Sequence, residues 1–566
     1  MITASSKLPL TGLLTLALSA LSARAQWVTE SYDLKPGWNA VWLPLDVSHA
    51  AVITDLAAAD IEELWRWNAG EAGHFTDTPA GPPSQIQLEW SVWRRTSPEG
   101  TTLGQLTGNA AYLVKVADTA APFTWAVKGK PLPPAFEWSS TGLNFVGFPI
   151  QTPASSSTRS VGRFFGFNPV LKSLPPTLFY NGGPLSDVAP KNPLRISNLN
   201  STAAIRGRAY WVQADAYTDY YGPVKVEMAN SNGLDFATER LSVSVRLVNV
   251  VDPVRNQTVT VTLAPAASEA PPAGQTTNAG AVPLLVRGAL NLTTGQHAYS
   301  ALTGPITRIL APGASTEVIL TVNRALLGNN PGAVFQSLLR ITDSLNQTRI
   351  ELPVRAETTS RAGLWAGAAV ITSVDHLLGP VATPQASPSL FPLNLLVHSD
   401  ATGTVRLLQQ AYVGEQTGAP AVAAAQAAFS EVTKIAGRTS TPHFPVGLKQ
   451  SGSGGLGLTG TASFTVELGH EDATNPFLHT YHPDHDSLDA RFELPLPAGR
   501  ESPGISRTIT LTFVDTHPLG FNPAWGANQL GGTYTETITG LRSQPINCSG
   551  SFMLQRVNTA PAFLNP

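Results

Sequence analysis

The chain has 566 residues, of which 13% are charged, and its formal net charge is −3. A slightly acidic protein with so few Lys and Arg residues lacks the basic surface that binds nucleic acid, so we expect no nucleic-acid partner. Gly and Pro are abundant, with 48 and 46 residues, which favours short strands joined by turns over helical bundles.

The first 25 residues have the pattern of a secretory signal peptide. Lys7 precedes an apolar run, and Ala23-Arg24-Ala25 supplies the small residues of a cleavage site. The apolar run is shorter than the roughly 20 residues that cross a bilayer, so we expect cleavage and no membrane span afterwards. Cleavage leaves Gln26 as the first mature residue. The pattern predicts a protein that is secreted or held at the cell surface.

Changes in composition divide the chain into a signal peptide and four further segments. After the signal peptide 1–25, we predict two β modules over 26–132 and 133–235, an immunoglobulin-like β-sandwich over 236–358, and a C-terminal β domain over 359–566. The fold class is therefore all-β, with tandem β modules, sandwich domains and little helix. The single cysteine, Cys548, excludes an intramolecular disulfide, so each fold depends on its apolar core.

The first two β modules contain an internal repeat. The stretch 37–45 (GWNAVWLPL) matches 142–150 (GLNFVGFPI) at its Gly, Asn, Val and Pro positions, and 108–114 (GNAAYLV) matches 207–212 (GRAYWV). Two matches in the same order indicate a duplication. These stretches resemble modules of bacterial secreted proteins in which a Gly-Trp-Asn strand precedes an Ala-Tyr-Trp-Val-like strand. The resemblance implies an extracellular β module.

Tryptophans are concentrated in this duplicated half, among them Trp65, Trp67, Trp90 and Trp93. On strands, Trp65 and Trp67 share one face, whereas Trp90 and Trp93 point to opposite faces. Such rings fill the core of small modules that lack disulfides, which is the interpretation we favour. The alternative is an exposed aromatic platform that binds sugar rings.

Six alternating strands follow in the third segment, at 241–248, 257–263, 282–286, 317–322, 335–341 and 349–354. Their regular spacing predicts a sandwich. The run Leu310-Ala311-Pro312-Gly313-Ala314-Ser315 before one strand, and Pro331-Gly332 before another, resemble the immunoglobulin-like domains of the abnormal-spindle and hydin type. That resemblance implies a structural or adhesive role. Residues 264–281 are predicted to form a flexible surface loop.

The last segment combines strands with one predicted helix, Ala419–Ala436. Two motifs of this segment, Gly363-Leu364-Trp365 and Pro523-Ala524-Trp525-Gly526, resemble the C-terminal parts of uncharacterised bacterial exported proteins. This resemblance supports an exported location. A glycine-rich stretch, 452–457 (GSGGLG), fits the written pattern of a dinucleotide loop. We interpret it as a hairpin loop, because an alternating strand and not a helix follows it.

One dense cluster of polar side chains lies in the last segment: His479, His482, Asp484, His485 and Asp486. Imidazole and carboxylate groups together suit zinc, whereas carboxylates alone suit calcium. The spacing matches neither a zinc-protease motif nor an EF-hand. The cluster is the candidate site of this sequence for a divalent metal, zinc or calcium, with a structural ion favoured over a catalytic one. The alternative is a polar surface loop whose side chains bond to backbone.

The sequence contains no nucleophile elbow and no phosphate loop, and we assign no catalytic residue. It predicts a non-enzymatic secreted or cell-surface protein with a structural or adhesive role. Its expected partner is a cell-surface polysaccharide or another surface protein. Two alternatives remain open: an extracellular carbohydrate-binding protein that uses the tryptophans, and a metal-dependent hydrolase centred on His479, His482 and His485.

Overall fold

The computed structural model describes residues 26–68, 79, 81, 83, 88–97, 99–135, 138, 143–151, 159–168, 170–171, 175–214, 216–328, 330–375, 384–408, 410–413, 437–440, 449–470, 472, 475–477, 503–514, 528–559 and 561. Nearly all of its regular structure is strand, which confirms the all-β fold class. The predicted signal peptide and the predicted helix at 419–436 lie outside the described residues. Within the described residues, no helix is long and apolar enough to cross a membrane.

Two antiparallel sheets lie between residues 28 and 131. Their strands are β1 (Val28–Leu34), β2 (Gly37–Leu43), β3 (Leu45–Asp46), β4 (Ile61–Trp67), β5 (Trp90–Arg94), β6 (Ala110–Val116) and β7 (Phe123–Pro131). One sheet has the order β1-β7-β3 and the other the order β2-β6-β4-β5. The four-stranded sheet is buried on both faces: Val41 and Tyr112 belong to the core of this module, and Trp42 and Leu113 to a larger core beyond it. Alternation along each strand separates the two sets.

A smaller sheet follows between residues 143 and 213. It consists of β8 (Leu143–Gly147), β9 (Thr177–Phe179), β10 (Leu194–Arg195) and β11 (Ala209–Gln213), in the order β10-β9-β11-β8, with the short helix α1 (Val161–Gly166) beside it. The pairs β2–β6 and β8–β11 have the same register, because Asn39 lies opposite Val114 and Asn144 opposite Val212. The stretches matched in the sequence therefore occupy equivalent places in the two sheets.

Two five-stranded sheets form the third unit. Their strands are β12 (Val224–Met228), β13 (Leu234–Asp235), β14 (Ser242–Asn249), β15 (Val259–Ala266), β16 (Leu284–Asn291), β17 (Gln296–Ala301), β18 (Ile306–Leu310), β19 (Ser315–Val322), β20 (Val334–Asp343) and β21 (Arg349–Glu357). The orders are β12-β14-β19-β16-β17 and β13-β21-β20-β15-β18. Alternate residues of both sheets, such as Leu247, Leu320 and Leu352, fill one common core.

Residues 264–281 were predicted to form a flexible surface loop. The structure instead has a strand at the start of this stretch and contacts with the first module farther along. Residues 264–266 belong to β15. Farther along, the Glu269 carboxylate accepts hydrogen bonds from the backbone N–H and the hydroxyl of Thr29 at 2.9 and 2.8 Å, and pairs with Lys128 at 3.1 Å. This loop is therefore tied to the first module, which the sequence pattern did not indicate.

The last unit is a closed barrel of eight strands. They are β22 (Gly363–Val374), β23 (Gln385–Ser399), β24 (Val405–Leu408), β27 (Lys449–Gly454), β28 (Gly460–Leu468), β29 (Ile505–Phe513), β30 (Gln529–Thr539) and β31 (Ile546–Arg556), and a separate pair consists of β25 (Gln410–Val413) and β26 (Gly437–Ser440). The first strand pairs with the last, with Trp365 opposite Arg556. Trp365, Phe464 and Tyr534 help to fill the interior, as side chains do in barrels of this size. The glycine-rich stretch 452–457 runs from β27 into its hairpin with β28, which confirms the hairpin interpretation.

Three arginines meet where the sandwich joins the barrel: Arg324, Arg361 and Arg556. Burial, together with the positive charges of Arg324 and Arg556, lowers the pKa of Arg361 to about 10. Arg324 is buried and donates to the backbone carbonyl oxygens of Glu357, Phe236 and Arg240. The guanidinium of Arg556 lies 5.6 Å from the ring centroid of Trp365. At this joint, backbone carbonyl oxygens accept hydrogen bonds from the guanidinium groups of Arg324 and Arg556.

Candidate functional site

The predicted metal ligands His479, His482, Asp484, His485 and Asp486 lie outside the described residues, so the metal site stays a prediction. Among the residues that the structure does describe, no three His, Cys, Asp or Glu side chains are placed to hold a metal ion. The strands that flank this segment are described: β28 ends at Leu468, β29 begins at Ile505, and these two residues are paired. The segment therefore leaves and re-enters the barrel at the same end.

Asn475 fastens the base of that segment. Its side-chain amide donates to the carbonyl oxygens of Gly469 and Pro503, at 3.0 and 2.8 Å, and its Oδ1 accepts from the backbone N–H of Phe477 at 3.0 Å. The residue is 4% exposed. Because this buried amide donates to a carbonyl oxygen on each side of the segment, it fixes the distance between the two chain ends.

A polar cluster lies inside the barrel near the same end, on the neighbouring strands β29 and β30. Nε of Arg507 donates to Glu536 at 2.6 Å, and the hydroxyl of Tyr534 donates to the other carboxylate oxygen at 2.8 Å. Glu536 is 5% exposed and Tyr534 is fully buried. Burial, with the Glu536 charge adding to it, holds the pKa of Tyr534 far above its usual value. The cluster is a hydrogen-bonded ion pair with its phenol donor kept protonated.

Cys548 faces this cluster from β31. Burial raises the pKa of its thiol to about 11, and the charges of Glu536 and Asp375 act in the same direction. Because the thiolate is the reactive form, a thiol with this pKa is a poor nucleophile at neutral pH. Asp375 accepts hydrogen bonds from the backbone N–H and the side-chain amide of Asn547. These contacts tie β22 to β31 and give the cluster a structural role.

Three of the four tryptophans singled out in the sequence, Trp65, Trp67 and Trp90, lie at the contact between the first two modules. Trp65 and Trp67 are buried in the large core, Trp90 packs against it, and Trp93 is buried on the other face of the sheet. The predicted distribution over faces is therefore confirmed. Trp65, Trp67 and Trp93 are 2%, 8% and 8% exposed, so the exposed aromatic platform formed by these four rings is wrong. Their rings contribute to the core instead.

The partner of these rings in the second module is Trp211. Its ring stacks on Phe145 with centroids 4.2 Å apart and meets Trp67 edge to face at 4.8 Å. Nε1 of Trp211 donates to the hydroxyl of Tyr180 at 2.9 Å. Edge-to-face and offset-stacked rings of this kind are favourable beyond the area that they bury. The aromatic cluster therefore binds the two modules together.

A second set of contacts joins the two modules to the sandwich. Arg206, 6% exposed in its side chain, lies between Glu30 at 2.7 Å and Glu351 at 3.4 Å. The Glu351 side chain has no exposed surface and also contacts Arg340 at 2.8 Å and Arg349 at 2.7 Å. Burial raises the pKa of Glu351, but the surrounding guanidinium groups outweigh burial and the net shift is downward. We call these five residues the junction network.

The pocket beside the junction network is small. Its volume is about 20 Å³, with Arg206, Arg349, Glu351, Trp42 and Pro149 among its lining residues, which is room for about one water molecule. Sequence reasoning missed this network. The signal that could have found it is the pattern Arg349-Ile350-Glu351, which places two opposite charges on one face of the predicted strand 349–354, whose other residues are apolar.

Comparison with known proteins does not assign the chain to a family. No family model matches the chain, and no curated protein matches it. Among solved structures, a protein of unknown function from Bacteroides ovatus matches with 8% identity and a TM-score of 0.18, over 60% of this chain and 96% of that one. A DUF4466 family protein from Parabacteroides merdae ATCC 43184 matches with 10% identity and a TM-score of 0.15, over 59% and 99%. At these scores neither likeness carries an argument about fold or function.

Proposed function

We propose that this chain is an exported, non-enzymatic protein with a structural or adhesive role at the cell surface. In this proposal the first three units act as one stiff stem, and the barrel is the unit that the stem carries. The observation on which the proposal depends is the continuous core that runs through the first three units, from Trp67 through Trp211 to Leu352. Domains joined by a small polar interface move relative to one another. Domains that share a core do not move independently.

The junction network supports the same interpretation. Glu30 belongs to the first module, Arg206 to the second, and Glu351 to the sandwich. A buried carboxylate held by several guanidinium groups is costly to separate, because separation leaves buried charges without partners. Relative motion of the three units would break these pairs. A protein that transmits force or holds a fixed length benefits from such a joint.

The duplication and the sandwich class enter the proposal as well. We infer that the sheets of the first two modules descend from one ancestral module, because both contain a tyrosine that reaches back five residues to the backbone. The hydroxyl of Tyr112 donates to the carbonyl oxygen of Thr107 at 2.8 Å, and the hydroxyl of Tyr210 accepts from the backbone N–H of Ile205 at 3.0 Å. The two facing five-stranded sheets support an immunoglobulin-like assignment.

Export is tested first by producing the full chain with a C-terminal epitope in a bacterial host that secretes proteins. We expect the mature chain outside the cytoplasm and accessible to added protease on intact cells. The matched control begins with a Met placed before Gln26 and should stay inside. Retention of the full chain in the cytoplasm would contradict the proposal.

Adhesion is tested with beads that are coated with residues 26–566. We expect the coated beads to stay on a lawn of cells, or on isolated cell-wall polysaccharide, under flow that removes albumin-coated beads. An assay with common ester, glycoside and peptide substrates runs beside it and should show no turnover. Turnover without retention would replace the structural proposal with an enzymatic one.

A further inference from the structure

The first residue expected after signal cleavage is buried. Gln26 is 5% exposed and Trp27 is 2% exposed. The carbonyl oxygen of Trp27 accepts from the backbone N–H of Glu269 at 2.7 Å. The Trp27 ring meets His49 edge to face, with centroids 4.9 Å apart. The start of the mature chain is thus packed between the first module and the loop that reaches over from the sandwich.

A new N-terminus at this place would bring a charge into a site that disfavours it. A free α-amine has a pKa near 8 and is mostly charged at neutral pH, and burying an ammonium group without a partner is costly. Lys130 brings a positive charge to the same region, because its Nζ lies 5.1 Å from the ring centroid of Trp27, the residue that follows Gln26. The carboxylate of Glu269 is already engaged by Lys128 and Thr29.

The effect of burial and of nearby charges at this site is seen in the pKa of His49, whose ring contacts Trp27. Burial lowers the pKa of His49, Asp46 opposes that shift, and the charges of Lys130 and Lys128 strengthen it. The same burial and positive charges disfavour an ammonium group at Gln26, the residue before the Trp27 ring that His49 contacts. A neutral group at the N-terminus would remove the conflict.

We propose that Gln26 is a modification site, at which the α-amine freed by signal cleavage closes on its own side-chain amide to give a pyroglutamyl lactam. The amine nitrogen attacks Cδ, a new C–N bond forms, and the bond from Cδ to Nε2 breaks. One amine proton moves to the departing nitrogen, and ammonia leaves. The step needs no oxidant and no co-reactant, and the five-membered ring brings the two groups together at high effective concentration.

Lactam formation removes the positive charge of the α-amine and allows the first residue to stay buried. The lactam ring presents one N–H and one carbonyl oxygen in place of an ammonium and a primary amide, so fewer polar groups need partners in the buried site. The inference rests on the proposed export, because only cleavage after Ala25 makes Gln26 the N-terminus.

The test is the intact mass of the full chain after export, together with fragmentation of its N-terminal peptide. We expect the mass of residues 26–566 less one molecule of ammonia, and we expect stepwise N-terminal sequencing to be blocked. The mass of residues 26–566 with a free amine at Gln26 would overturn the inference and leave export intact. A mass that still includes residues 1–25 would overturn export itself, and with it the inference.

A second measurement examines whether the lactam is buried. Pyroglutamyl peptidase should leave the folded protein intact and should release the first residue after the chain is unfolded. Release from the folded protein would contradict the packed N-terminus. The variant Gln26→Ala, exported in the same way, keeps a charged amine, and we expect its melting temperature to lie below that of the cyclised chain. The variant Ser48→Ala, also in the first module, serves as the control.

Discussion

Trp67 and Trp211 meet edge to face with ring centroids 4.8 Å apart, although 144 residues separate them, the difference between their two positions in the chain. One ring belongs to a four-stranded sheet of the first module and the other to the sheet of the second. Because both rings are buried, this contact is a core contact and not a contact between independent surfaces. The stability of each module therefore depends on the other.

Truncation of Trp211 should destabilise both modules together. We expect Trp211→Ala to cost about 3–5 kcal/mol in the free energy of unfolding, because it leaves a large cavity and also removes the donor to Tyr180. Urea unfolding followed by tryptophan fluorescence measures the loss. Tyr217→Ala is the control, since that aromatic ring is 65% exposed and should change stability by less than about 0.5 kcal/mol. Equal effects of the two variants would contradict the shared core.

Neutralising Glu351 should uncouple the junction network. Glu351→Gln leaves Arg206, Arg340 and Arg349 around a neutral amide, and breaking such a buried pair costs about 3–5 kcal/mol. Thermal unfolding at pH 7 measures it. Glu317→Gln, on an exposed position of β19, is the matched control and should leave the melting temperature unchanged.

The same carboxylate predicts how stability depends on pH. The pKa of Glu351 is lower in the folded chain than in the unfolded chain, so the unfolded chain binds its proton first as pH falls. The stabilisation is complete above the unfolded pKa of about 4.3 and is lost as pH falls from there through the folded pKa. The melting temperatures of the wild type and of Glu351→Gln should therefore converge below about pH 4. Parallel curves down to the acid limit would contradict this assignment.

Cys548 should resist alkylation at neutral pH. Burial, together with Glu536 and Asp375, raises its thiol pKa to about 11, so very little thiolate is present at pH 7.5. We expect iodoacetamide to modify the folded chain at least about tenfold more slowly than the urea-unfolded chain, whose thiol has an ordinary pKa near 8.5. Rates measured by mass spectrometry between pH 7 and 10 give the comparison. Equal rates in the two states would contradict the half-buried position of Cys548 and its raised pKa.

Gly147 should not tolerate a side chain. A Cβ built at Gly147 would lie 2.2 Å from Cβ of Trp42, across the contact between the two modules. We expect Gly147→Ala to lower the free energy of unfolding by about 1–3 kcal/mol through overpacking. Gly304→Ala is the control, since nothing lies within 4 Å of the corresponding Cβ. Thermal unfolding of both variants distinguishes crowding from a general effect of replacing glycine.

The local patterns in the sequence were sufficient for the fold class and for much of the sandwich, because alternation of apolar residues reports a half-buried strand directly. Strands β17 and β18 were missed for the same reason: they lie at sheet edges, and apolar and polar residues do not alternate in their sequences, QHAYSA and ITRIL. Closure of the barrel depends on pairing of β22 with β31, at opposite ends of the domain, and no local pattern reports such a register. The faces of Trp65, Trp67, Trp90 and Trp93 followed from strand geometry alone. The residues that cover the face of Trp65 and Trp67 belong to the second module, and no pattern within the first module indicates them.

The four-stranded sheet of the first module has a consequence for synthesis. Its strands are complete once the chain has reached Val116, but the face that contains Trp65 and Trp67 is covered only after Trp211 has been made. At about 5–20 residues per second, the growing chain presents an aromatic surface to its surroundings for several seconds. Chaperone binding during that interval would protect this surface from aggregation. The time between synthesis of the first module and synthesis of the second therefore affects how readily the first module aggregates.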